Sequence, residues 1–104
     1  MNEQLEIDEL IEAVEEWAFN RGLLGRITNT QAQMCKVTEE VGETARAVLK
    51  CDIDGVKDGI GDIMVTLIIL AEQHKLSIQE CLNTAWNEIK NRKGKTVNGT
   101  FIKE

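Results

Sequence analysis

Apolar residues recur along the chain at helical spacing, and four helices follow from them. In the first, Leu10, Ile11, Val14, Trp17 and Ala18 share a face, with Glu9, Glu12, Glu15 and Glu16 between them. This pattern predicts a helix from about Asn2 to Arg21, broken by Gly22 and Gly25. The second helix runs from Thr30 to about Cys51, with an apolar stripe of Met34, Val37, Val41, Ala45, Val48 and Leu49. Thr30 and Gln33 have capping-box spacing at its start. The third begins at Asp54, a good N-cap, and runs to about His74. From Ile63 to Ala71 it is apolar on every side apart from Thr66, which marks a buried central helix. Ser77 and Glu80 form a second capping box that opens the fourth helix. Its stripe is Ile78, Leu82, Ala85, Trp86 and Ile89, and it ends near Lys93-Gly94. In the last residues, Asn98-Gly99 sits between β-formers, a turn signal for a small hairpin or for an extended tail packed on a neighbour.

The expected fold is all-α: an antiparallel four-helix bundle with a short C-terminal extended tail, one domain over residues 1–104. A domain of 104 residues has a modest core of its own. Trp17, Phe19 and the all-round apolar surface of the third helix exceed what one small bundle covers. A homodimer or a homotetramer (a dimer of dimers) is therefore expected.

Charge narrows the partners. The net charge of −6 and sequence pI of 4.8 argue against nucleic acid as a partner held by charge. Seven acids and no base fall within residues 1–16, whereas residues 88–104 hold five bases and two acids. The beginning has no basic segment of the signal-peptide kind. The longest apolar run falls far short of the ~20 residues of a membrane span. Cys35, Cys51 and Cys81 are odd in number and form no CxxC pair, so they read as reduced thiols of a cytoplasmic protein.

Carboxylates carry the candidate chemistry. Glu39, Glu40 and Glu43 cluster on the second helix, with Glu40 and Glu43 about 60° apart and off the apolar stripe. On the third helix Asp58 and Asp62 stack on a face that continues through Val65 and Ile69. An unpaired carboxylate on such a face needs a cation, either a Lys or Arg from another helix or a metal ion. Gly59 and Gly61 flank it, which suits a close approach to that backbone. Folding the two helices into an antiparallel hairpin brings Glu43 and Asp62 to one height, with Glu40 and Asp58 a turn to either side. Four carboxylates without thiolate or imidazole favour a hard cation, Mg²⁺ with Mn²⁺ as substitute.

These residues, Glu39-Glu40-Val41-Gly42-Glu43 followed by Asp58-Gly59-Ile60-Gly61-Asp62, resemble the MazG-like nucleotide pyrophosphohydrolases of the all-α NTP pyrophosphatase superfamily. The superfamily pattern is ExxE, a spacer, then ExxD. Glu40 and Glu43 match the first pair and Asp62 the final acid. The flanks Glu16-Trp17-Ala18, Arg21-Gly22-Leu23, Trp86 to Lys95 and Asn98-Gly99 look like the short phage- and integron-type members. One departure stands out: Gly59 occupies the Glu position of ExxD, with Asp58 beside it.

The resemblance implies hydrolysis of a nucleoside triphosphate to the monophosphate and pyrophosphate. Metal would be held by Glu40, Glu43, Asp58 and Asp62. Water would attack the α-phosphorus, with Glu39 or Asp58 taking its proton. The family places phosphate and sugar contacts near Asn87, Lys90, Asn91 and Arg92. Lys36 is expected to pair with Glu40 or meet a phosphate. Trp17 either stacks on a base or completes the core stripe of its helix. Two alternatives stand beside this reading. One is a catalytically weak or inactive helical module that binds nucleotides, which Gly59 keeps open. The other is a di-iron bundle, which wants ExxH pairs that His74, the single histidine, does not form.

Overall fold

Asp52 ends a tight turn and caps the helix that organises everything else. The computed structural model describes residues 4–104, so the expected helix start at Asn2 lies outside the described residues. Helices α1 (Ile7–Asn20), α2 (Thr30–Leu49), α3 (Ile53–Gln73) and α4 (Ile78–Ile89) are followed by strands β1 (Gly94–Val97) and β2 (Thr100–Lys103). The caps explain most boundaries. Glu6 N–H donates to Glu9 Oε1 at 3.0 Å ahead of α1. Asn29, not Thr30, caps α2, its Oδ1 accepting from Ala32 N–H at 2.9 Å. Asp52, not Asp54, caps α3, with Oδ1 accepting from Gly55 N–H at 3.0 Å. Ser77 caps α4 as expected, accepting from Glu80 N–H at 3.1 Å. That helix ends at Ile89, a turn before the Lys93-Gly94 expected.

The tail is a hairpin. β1 and β2 pair antiparallel, Val97 opposite Thr100 and Gly94 opposite Lys103. Asn98 and Gly99 both have positive φ, 51° and 79°, the backbone of a two-residue turn that Asn-Gly favours.

Helix α3 is the hub. Among the described residues α1, α2 and α4 each pack on α3, and the start of α4 shares a cleft with α1. The α2–α3 pair is an antiparallel hairpin pinned at several heights. Gln33 Nε2 donates to the Thr66 carbonyl at 3.0 Å near the open end. Thr44 lies over Gly59 farther along, and Ala47 over Gly55 near the turn. α1 contributes Ala18, fully buried, and Gln73 Nε2 on α3 donates to the Leu23 carbonyl at 3.0 Å. The radius of gyration is 16.0 Å, against about 13 Å for a closed domain of this size. Part of this extension is the C-terminal hairpin, which packs on none of the described helices.

The face α2 turns to α3 differs from its apolar stripe. Gln33, Val37, Glu40 and Ala47 are its buried residues. Met34, Val41, Val48 and Leu49 are exposed. Glu40 therefore sits on the packed stripe, contrary to the sequence reading. α4 buries none of its residues, and its Leu82, Trp86 and Ile89 stand open. Among the described residues no helix is long and apolar enough to cross a membrane.

Candidate functional site

The α2–α3 hairpin encloses a groove of about 360 Å³ near its turn. Glu43, Asp58 and Asp62 line it with Thr44, Arg46 and Lys50. The hairpin places these acids together because α2 and α3 run antiparallel from a turn of three residues, Lys50 to Asp52, as counting along the two helices anticipates. The approach is close because Gly59 has no side chain. A Cβ there would overlap the Thr44 side chain, whose hydroxyl donates to the Glu40 carbonyl at 2.8 Å. Gly59 thus answers to helix packing. At Gly61 a Cβ would meet open space, so its expected role in a close approach is not seen.

The carboxylates differ in setting. Asp62 is exposed, so the expectation of a charge on a buried face is corrected. Its face turns outward at the groove. Glu40 is the buried acid, 8% exposed. Lys36 Nζ stands 3.4 Å from Glu40 Oε1 and 3.5 Å from Glu39 Oε1, with the Glu39 side chain 57% exposed. The Lys36 ammonium is pushed above its ordinary range, first by its hydrogen bond to Glu40 and then by the charges of Glu39 and Glu40. Glu40 is not among the groove-lining residues.

The donor set suits a hard divalent cation: oxygen atoms only, on two facing helices, beside a glycine that lets the backbones meet. Among the described residues no three side chains of His, Cys, Asp or Glu stand close enough to form a cage as they are placed. The fit is one of chemistry and position, with Glu43, Asp58 and Asp62 able to contribute from the groove, while Asp52, which also lines it, is engaged as the cap of α3.

The remaining candidates lie elsewhere. Asn87, Lys90, Asn91 and Arg92 are exposed at the end of α4 and just beyond, and do not line the groove. Lys90 Nζ donates to Asn87 Oδ1 at 3.2 Å. Trp17 is 46% exposed, so it does not complete a core, and the Arg21 guanidinium lies 5.1 Å from its ring centre. His74 caps the end of α3, its Nδ1 2.9 Å from the Leu70 carbonyl oxygen.

Sequence reading missed Arg46 and Lys50, the groove's two cations. The spacing of Gly55 and Gly59 was the available signal, since it marks the face of α3 against which α2 lies. A larger cavity, about 680 Å³, opens at the other end of the hairpin between Leu23, Ile27 and the start of α2. It is lined by no carboxylate, and the groove remains the better seat for cation chemistry. Across the α1–α3 contact, Glu15 and Glu72 share a hydrogen bond. That bond, burial and the charges of Glu72 and Glu12 push the Glu15 carboxyl up from 4.5 to about 7.

Comparison with known proteins agrees with this geometry. Residues 28–97 match the MazG nucleotide pyrophosphohydrolase domain. A relative, the uncharacterized 18.2 kDa protein in the rep-hol intergenic region of Haemophilus phage HP1 (strain HP1c1), is 39% identical over 71 residues. That alignment covers 68% of this chain and 43% of the relative, so the chain matches less than half of the phage protein's length. No solved structure gives a significant match. The matched segment contains the α2–α3 hairpin and every groove residue, and the chain belongs to the MazG nucleotide pyrophosphohydrolase domain family.

Proposed function

We propose that the protein is a divalent-metal-dependent nucleoside triphosphate pyrophosphohydrolase, converting a (d)NTP and water to the (d)NMP and pyrophosphate. The observation that carries this reading is the convergence of Glu43, Asp58 and Asp62 on one groove of a MazG-family hairpin. Residues 1–104 act in it as one domain.

Glu40, Glu43, Asp58 and Asp62 are assigned to hold Mg²⁺, or Mn²⁺ in its place. Such an ion, when bound, supplies charge neutralisation at the phosphates and a more acidic water. The chain's own residues do the rest. Asp58, or Glu39, accepts the proton of the water that attacks the α-phosphorus. Arg46 and Lys50, on the groove wall, offset part of the net charge of −6 that opposes an anionic substrate. Lys36, Asn87, Lys90, Asn91 and Arg92 are assigned to phosphate and sugar, and Trp17 to the base.

A homodimer or homotetramer completes the reading. Met34, Val41 and Val48 form an exposed heptad-spaced stripe on α2, and α4 has no buried residue. A second copy is assigned to cover them.

Pyrophosphate release from a panel of dNTPs and NTPs with Mg²⁺ tests the proposal. Glu43→Gln and Asp62→Asn should each abolish it. The second reading, a nucleotide-binding module without turnover, draws on Gly59, where packing against Thr44 stands in place of an acid. Nucleotide binding without release would favour it.

A further inference from the structure

The four carboxylates assigned to the cation are not equivalent in the free protein. Three line the groove, and Glu40 does not. Glu40 is also the buried one, and a buried carboxylate is costly without a counter-charge. Its counter-charge is Lys36, one turn toward the start of α2, with Nζ 3.4 Å away. Glu43 lies on the opposite side, toward the turn with α3. The pair thus draws the Glu40 carboxylate away from the other three.

We propose that Lys36 is the built-in counter-ion of Glu40, which holds this carboxylate out of the groove in the free protein and must release it before a divalent cation can use it. The inference rests on the metal-dependent reading above and adds an internal competitor to it. Release is easy because the Lys36 side chain is 50% exposed, and an ion pair reaching water is held weakly. Lys36 can swing into solvent on its flexible stem without opening the helix pair. The Glu40 backbone cannot follow it, because α2 is packed along α3, so the freed carboxylate has only its own side-chain torsions with which to turn toward the groove. In the free protein Lys36 acts as a positioning residue: it sets where Glu40 points, and once released it is available to a phosphate.

The test is calorimetric titration with Mn²⁺ of the wild type, Lys36→Met, and Lys57→Met as a control for the same change in net charge. Circular dichroism checks that each is folded, and Lys36→Gln serves if the methionine variant is not. Lys36→Met should bind Mn²⁺ about two- to fivefold tighter, the range expected for losing a partly exposed competing pair. Lys57→Met should bind like the wild type. Lys36→Arg, which keeps the charge, should do so too. In chelator, Lys36→Met should melt below the wild type, and the difference should vanish in a Glu40→Gln background. Equal affinity of wild type and Lys36→Met overturns the inference while leaving the metal site standing. So does equal tightening in Lys57→Met. Absence of Mn²⁺ binding in every protein overturns the metal-dependent reading and this inference with it.

Discussion

The Thr44 side chain occupies the space that a β-carbon on Gly59 would need, so this pair sets how closely α2 approaches α3 beside the acid groove. Gly59→Ala gains up to about 1 kcal/mol in helix propensity. It also forces the helices apart or Thr44 out of place, an overpacking cost of about 1–3 kcal/mol. The clash wins because Cβ of Thr44, not only its hydroxyl, lies too near. Urea denaturation should show Gly59→Ala less stable than wild type, with part of the loss recovered by adding Thr44→Ala. A stabilised Gly59→Ala would mean that the helix pair has slack.

The groove's acids should separate in activity. Asp58 lines the groove, whereas Glu39 is exposed and tied to Lys36. Asp58→Asn should therefore lower pyrophosphate release by about 10²-fold or more, the scale of a lost general base or ligand. Glu39→Gln should change it by less than about tenfold. Steady-state assays with the preferred substrate check this ordering. The reverse ordering would assign the proton acceptor to Glu39.

Acidity should tune stability through α1. The Glu15 carboxyl, hydrogen-bonded to Glu72 and facing Glu12, is raised from 4.5 to about 7. Between those values the folded state binds more protons than the unfolded one. The contribution of Glu15 is thus full below pH 4.5, declines as pH rises, and is lost above about pH 7. Solvent screening moderates the effect at this half-buried site. Glu15→Gln should raise Tm at pH 8 by about 2–4 °C and flatten its decline between pH 5 and pH 8. A wild-type Tm independent of pH over that range would contradict the Glu15–Glu72 proton.

A buried amide crosses the open end of the hairpin. Gln33 is 8% exposed and donates to the Thr66 carbonyl. Gln33→Ala should cost about 1–2 kcal/mol, for the hydrogen bond and the cavity left behind. Thermal melts read this directly, and an unchanged Tm would show that Gln33 is not held between the helices.

Association should depend on the open stripe of α2. Val41 is 47% exposed and Val48 56%. Val41→Glu places a charge at the centre of that stripe and should convert a dimer or tetramer to smaller species in sedimentation at micromolar concentration. A wild type that sediments as a monomer would remove the reason for the exposed face proposed here.

Local rules settled much of this protein in advance. Helical periodicity, turn residues and cap spacing act over a few neighbours, so the four helices, the Ser77 cap, the Asn98-Gly99 turn and the meeting of Glu43, Asp58 and Asp62 across one helical hairpin were legible from residue order alone. The errors came where local signals tie. Asn29 competes with Thr30 for one cap, and Asp52 with Asp54 for another, and neighbouring packing chooses between such equals. Which face of α2 meets α3 was decided only by tertiary structure. Hydrophobicity pointed to Met34, Val41 and Val48, but small residues at Gly55 and Gly59 let α3 approach Ala47 and Thr44 instead. That choice buried Glu40, exposed Asp62, and gave Lys36 its partner. Periodicity identifies a stripe without naming the surface that will cover it, and close backbone approach is a property of two helices together.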